Sequence, residues 1–142
     1  MRKEDISFPL TYVIPGDPVT KKNSQNIYKN YKTGKFFITP SKRFSWYEQN
    51  ASWSFHGSDM ELKIDFPVNI KCIYYMETRR KVDLTNLLEA TDDILTTYGI
   101  LADDNMRIIA GHDGSRVKYA GKIGNPRVEI TIEPLDFQFE DS

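Results

Sequence analysis

Apolar and polar positions alternate along this chain in short blocks that read as strands, separated by two stretches of helical period. Residues 8–14 form an apolar-rich run halted by Pro15-Gly16-Asp17-Pro18, which predicts a strand and a turn. A short strand is predicted over 35–39 after the Thr33-Gly34 turn, and Pro40-Ser41 open a helix to about Phe55. Residues 66–76 alternate as a strand with one buried face, and 106–111 and 127–133 are further strands, the last with Val128, Ile130 and Ile132 in register. Asp113-Gly114 and residues 121–126 read as turns or a mobile loop.

The clearest helical pattern covers 84–98. At about 100° per residue, Leu84, Leu87, Leu88, Thr91, Ile94, Leu95 and Tyr98 share one arc, while Thr85, Asn86, Glu89 and Asp93 occupy the other side. Asp83 suits the N-cap, where its carboxylate can accept an orphan backbone N–H, and Gly99 suits the position that ends the helix. The order ββαβαββ predicts an α+β fold, a single domain over 1–142 with a mixed β-sheet packed against two helices. The 84–98 helix then serves as a right-handed crossover between strands 66–76 and 106–111. Asp83 would follow one strand and Asp104 precede the next, so these acids are expected to converge.

A chain of 142 residues with 39% hydrophobic content is large enough for a core. A lone cysteine, Cys72, excludes disulfides within the chain, leaves a zinc site without sulfur partners, and reads as a buried apolar residue. No segment reads as a signal peptide or membrane span, so a cytoplasmic protein, bacterial or phage-encoded, is expected. Gly111-His112-Asp113-Gly114 lacks the lysine and helix of a phosphate loop, and no Ser/His/Asp order occurs, so no nucleotide cofactor is expected. His56 and His112 are isolated in sequence and read as surface or polar-contact residues.

Net charge is −1 but unevenly spread. Residues 1–80 hold 13 Lys and Arg against 8 Asp and Glu; residues 81–142 hold 6 against 12. Within 18–47 there is no acid, and Lys21, Lys22, Lys29, Lys32, Lys35, Lys42 and Arg43 are interleaved with Tyr28, Tyr31, Phe36, Phe37, Phe44, Trp46 and Tyr47. Basic residues neutralise phosphates and exposed rings stack on unpaired bases, so this segment reads as a nucleic-acid surface. Its 21–26 run, which includes Asn23, reads as a phosphate-contacting loop, whereas Phe36, Phe37, Phe44 and Trp46 are assigned to the core. Arg79, Arg80 and Lys81 form a second basic cluster just before Asp83, and Lys118 is a further candidate.

Segment 79–104 reads as a metal site. Like charges gathered on one helix face and in the following loop repel unless a cation neutralises them. The hard oxygen ligands Asp83, Glu89, Asp104 and Asp103 select Mg²⁺ or Mn²⁺, with Asn86, Asp93 and Thr85 supporting them.

The stretch Arg80-Lys81-Val82-Asp83-Leu84-Thr85-Asn86-Leu87, then Asp93 and Gly99-Ile100 through Asp103-Asp104, resembles the signature of the RusA-type Holliday junction resolvases, as does Pro15-Gly16-Asp17-Pro18 before Lys21-Lys22-Asn23-Ser24. The resemblance spans most of 8–133. It implies a homodimeric, Mg²⁺-dependent endonuclease that nicks two strands of a four-way DNA junction symmetrically. This chain departs from the pattern twice: Thr85 stands where the family commonly has Asp, and Glu89 where it commonly has a catalytic lysine. A carboxylate lost at 85 reappears one helical turn away at 89. A nearby basic residue, Lys81 or Lys118, would then replace the lysine. Three readings stay open: a junction resolvase, a less selective branched-DNA nuclease, and a junction-binding protein with a weakened site. The tail 136–142 is expected to be flexible.

Overall fold

Strand formation follows the period-two burial that β-branched and aromatic residues favour on a half-covered sheet. In β4 (Val68–Met76) the side chains of Val68, Ile70, Cys72, Tyr74 and Met76 are buried, and the alternate ones face the other side. β7 (Arg127–Pro134) repeats this with Val128, Ile130 and Ile132, and β1 (Leu10–Pro15) with Tyr12 and Ile14. The computed structural model describes residues 2–21, 25–40 and 42–136, the side chains of 25–28 and 37–40 excepted.

The main sheet runs β1-β7-β4-β5, with β6 also on β4. β7 is antiparallel to both neighbours. β5 (Ile109–Gly111) and β6 (Arg116–Tyr119) both lie parallel to β4, β5 beside its start at Val68 and β6 beside its end at Ile73 to Met76. A separate hairpin pairs β2 (Gln25–Lys29) with β3 (Phe36–Pro40). Its turn closes where Gly34, at φ +73°, donates its N–H to the Asn30 carbonyl at 2.7 Å.

Two helices contribute to the core with the buried sheet face. α1 (Lys42–Ala51) contributes Phe44, Tyr47 and Ala51; α2 (Leu84–Thr97) contributes Leu87, Leu88, Thr91, Ile94 and Leu95. The Tyr74 hydroxyl and Thr91 Oγ1 are 2.7 Å apart, and Thr91 donates to the Leu87 carbonyl, so Tyr74 donates into α2 and ties it to the sheet. Tyr98 donates to the Glu48 carbonyl at 2.8 Å and joins the two helices. Gly99, at φ +80°, ends α2 where a Cβ would lie 2.2 Å from the Met60 carbonyl oxygen.

The α+β class and the mixed sheet with two helices agree with the sequence reading, but the order is βββαβαβββ rather than ββαβαββ. β2 lacks apolar alternation and β6 is exposed at every position, so neither carries the half-buried signature of a strand. The strand expected from 106 begins only at Ile109, because Asn105 draws Met106 to Ile108 into a turn, its carbonyl accepting from Ile108 and Ile109 and its side chain from Arg107. The first helix gives way at Ala51 to a 3₁₀ turn, Ser52–Ser54, and Ser41 lies outside the described residues. Phe44 is buried as expected, but Phe36 and Trp46 are 70% exposed; the Phe37 side chain lies outside the description. Among the described residues no helix is long and apolar enough to cross a membrane.

Candidate functional site

β4 leaves the sheet at Met76, and residues 77–83 carry the chain to α2. Asp83 holds the extended backbone of an N-cap (φ −84°, ψ 124°), but its side chain makes no capping bond. Contrary to the expectation that it would accept a backbone N–H, its Oδ2 accepts from Asn86 Nδ2 at 3.3 Å. The carboxylate nonetheless stands at the positive end of the α2 dipole. Thr85 and Glu89 are exposed on the same helix, and Asp93 is half-buried one turn beyond Glu89.

Asp93 is ion-paired with Lys21, whose ammonium also lies 5.5 Å from the Phe44 ring centroid. Glu48 of α1 completes the group: burial pushes its carboxyl up, Lys21 pulls it down, and Asp93 pushes it up again. Lys21, expected to be a DNA-backbone contact, therefore stands against the polar face of α2.

Asp103 is folded into its own loop, Oδ1 accepting from the Asp104 N–H at 2.8 Å and Oδ2 from Asn105 Nδ2 at 3.0 Å. The Asn105 and Asp104 bonds hold its carboxyl below the usual range. Asp104 is exposed, and its charge helps raise Asp92. Asp92 lies nine residues beyond Asp83, about 13 Å of helical rise. In the chain Asp83 immediately precedes α2, and Asp104 belongs to the loop that follows it. Among the described residues no three His, Cys, Asp or Glu side chains converge on a point that holds a metal ion. Asp83, Glu89, Asp103 and Asp104 form no such group among the described residues, where nothing neutralises the like charges that would have to meet. The donor chemistry still suits Mg²⁺ or Mn²⁺: every candidate ligand is a hard oxygen, and burial pushes the Cys72 thiol up to about 12 and out of reach.

Sequence reasoning missed Asp92 and left His112 isolated; the fold pairs them. His112 Nε2 is 2.9 Å from Asp92 Oδ2, and Nδ1 is 2.9 Å from the Ile70 carbonyl. Among the described residues Asp92 Oδ1 finds no hydrogen-bond partner, though it is buried. Burial raises the Asp92 carboxyl despite the bond and charge of His112 that lower it. A signal was present, since Asp92 follows Leu88 by four residues and precedes Leu95 by three, on the apolar arc.

The basic residues gather beside the exit of β4. Arg79, Arg80 and Lys118, with Met76, Thr78, Val117 and Tyr119, line an open groove of about 310 Å³, and Lys81 is exposed next to it. Arg43 Nη2 pairs with Asp17 at 3.2 Å, and Asp17 accepts from the Glu77 N–H at 2.8 Å, which ties α1 to this exit. Lys29, Lys32 and Lys35 are exposed on the separate hairpin. Lys22 and Asn23 lie outside the described residues.

Residues 15–133 match the family described as Endodeoxyribonuclease RusA. The chain is 30% identical over 118 residues to the crossover junction endodeoxyribonuclease RusA of Aquifex aeolicus (strain VF5), covering 83% of this chain and 86% of that one. It is 32% identical over 112 residues to the crossover junction endodeoxyribonuclease rusA of Enterobacteria phage 82, covering 79% and 88%.

Proposed function

Because the chain belongs to the RusA family and is an endodeoxyribonuclease, we propose that it resolves four-way DNA junctions in recombination and repair, as a homodimer dependent on Mg²⁺ or Mn²⁺. The observation that carries this reading is the polar face of α2, with Asp83 bonded to Asn86 and Asp93 paired with Lys21, next to the cations at the exit of β4. Strongly basic surroundings let an anionic strand approach an acidic face that would otherwise repel it.

Asp83, Glu89, Asp104 and Asp103 are the residues that would hold the cation. When bound, it supplies Lewis-acid polarisation of the scissile phosphate and an activated water. Since no three of these acids gather among the described residues, phosphate oxygens of the DNA would complete the ligand set. A twofold dimer provides the two equivalent sites that paired symmetric cuts require. Asn86 orients Asp83. Lys21 is better placed than Lys81 or Lys118 to take the part of the lysine absent at 89, because its ammonium already stands at α2 one turn from Glu89. Arg79, Arg80, Lys81 and Lys118 hold the flanking phosphates, and Lys29, Lys32 and Lys35 reach an arm of the junction.

Immobile four-way junctions, duplex and single strands incubated with Mg²⁺, Mn²⁺ or EDTA test the proposal. Paired, metal-dependent cuts confined to the junction are expected. Nicking of all substrates would replace it with a less selective nuclease, and a gel shift without cuts with a binding protein.

A further inference from the structure

The loop between β6 and β7 crosses the exit of β4. β6 lies parallel to β4 and β7 antiparallel, with Met76 opposite Tyr119 and Tyr75 opposite Arg127, so residues 120–126 arch over the end of β4. The Ala120 N–H donates to the Met76 carbonyl at 2.9 Å, and the Gly16 N–H to the Pro126 carbonyl at 3.0 Å, which pins both feet of the arch. Gly121 sits at φ +88°, and at Gly124 a Cβ would lie 1.7 Å from the Ala120 carbonyl oxygen, so the loop closes tightly on itself. Ile123, between these glycines, is 100% exposed, whereas every other isoleucine with a described side chain is buried or half-buried.

The flanks of the arch are cationic and aromatic. The Arg127 guanidinium lies 3.9 Å from the Tyr75 ring centroid and Lys118 Nζ 5.9 Å from the same ring, while Arg79 lies 4.7 Å from the Tyr119 ring. Arg127 also bonds Glu129 and the Asn125 carbonyl, so it supports the loop, whereas Lys118, Lys122 and Arg79 are exposed. A single exposed apolar residue is ordinary on a protein surface. Here it crowns a pinned loop, with the exposed cations Lys118, Lys122 and Arg79 at its flanks, at the end of the sheet from which Asp83 and α2 depart.

We propose that Ile123 is an apolar wedge that enters the base stack at the branch point of the DNA, while Lys118, Lys122 and Arg79 grip the adjoining phosphates. This rests on the junction reading. Insertion between stacked bases costs unstacking energy, and a branch point, whose stacking is already interrupted, offers it most cheaply. The wedge thereby distinguishes junction from duplex, which phosphate contacts alone do not.

The test uses the full chain in EDTA and a junction carrying 2-aminopurine at the branch point, against a duplex carrying it internally. Wild-type binding is expected to raise the fluorescence of the junction probe. Ile123→Ala, at a fully exposed position that leaves folding intact, is expected to lose that rise and about tenfold in junction affinity, with duplex affinity changed less than about twofold. Ile123→Phe should retain both signals. Lys118→Ala should weaken junction and duplex alike and lower the salt slope by about one. An unchanged fluorescence rise and junction preference in Ile123→Ala overturns the wedge while leaving the junction reading intact. A wild-type protein with no junction preference overturns the junction reading and the wedge with it.

Discussion

His112 links sheet to helix, its Nδ1 2.9 Å from the Ile70 carbonyl of β4 and its Nε2 2.9 Å from Asp92 Oδ2 of α2. Both partners are acceptors, so only the doubly protonated ring donates to both. Burial pulls the His112 pKa down, but the hydrogen bond and charge of Asp92, the Ile70 carbonyl and the charge of Asp113 outweigh it and leave it above the ordinary 6.5. A raised histidine stabilises the fold fully below its unfolded value and loses that contribution as pH rises through the folded one. The melting temperature should therefore fall as pH is raised from about 6.5. His112→Gln should flatten this dependence; an equal slope in both proteins, measured by thermal denaturation across pH, would remove His112 as its source.

The Tyr74 to Thr91 bond is another polar tie between α2 and the sheet, and it is buried. Thr91→Val keeps the side-chain shape but takes from the buried Tyr74 hydroxyl its oxygen acceptor, at a cost of about 1–3 kcal/mol in urea denaturation. Tyr74→Phe combined with Thr91→Val should cost less than the sum of the two single changes, since both remove the same bond. Strict additivity would mean the bond contributes nothing.

Where burial and chemistry repeat with a regular period, the sequence was readable. The alternation at Val128, Ile130 and Ile132, and the arc from Leu87 to Leu95, predict elements that the fold contains. β2 escaped because its residues lack apolar alternation although its partner β3 follows in the next turn, and β6 because it is exposed throughout and pairs with β4, distant in sequence. The acidic residues of α2 were legible as a face, but which cation meets that face was not. Lys21 arrives from the segment after β1, through a tertiary approach that no spacing encodes. Asp92 stood on the apolar arc, yet its partner His112 lies twenty residues away. The acids at 83 and 104 stand on either side of α2 in the sequence, and no spacing encodes how the fold disposes them toward each other.

Two glycines at positive φ give contrasting predictions. At Gly34 (φ +73°) a Cβ meets nothing within 4 Å, so Gly34→Ala should cost only the backbone penalty, about 1–2 kcal/mol. At Gly99 (φ +80°) the Cβ would also lie 2.2 Å from the Met60 carbonyl oxygen, where backbone must move to make room. Gly99→Ala should lose several kcal/mol by the same measurement, about 3 or more. Similar losses at both sites would show that the close approach at Met60 is relieved without cost.

Lys21 and Glu89 provide the sharpest test of the site. If the Lys21 ammonium stabilises charge on the phosphate, Lys21→Ala should slow single-turnover junction cleavage by about 100-fold, the scale of removing one preorganised donor. Junction affinity in EDTA should fall far less, because the exposed cations at the exit of β4 still hold the backbone. Lys21→Arg should recover part of the rate. Glu89 and Asp93, at which Lys21 stands, are one turn apart on the polar face of α2. Lys21→Ala combined with Glu89→Lys should therefore cleave faster than Lys21→Ala alone, whereas Glu89→Lys in the wild-type background crowds two ammonium groups and should slow cleavage. Glu89→Gln separates the ligand role: it should raise the Mg²⁺ concentration needed for half-maximal rate without altering junction affinity in EDTA. Equal losses of rate and affinity in Lys21→Ala, with no recovery in the double variant, would return Lys21 to the ordinary phosphate contacts.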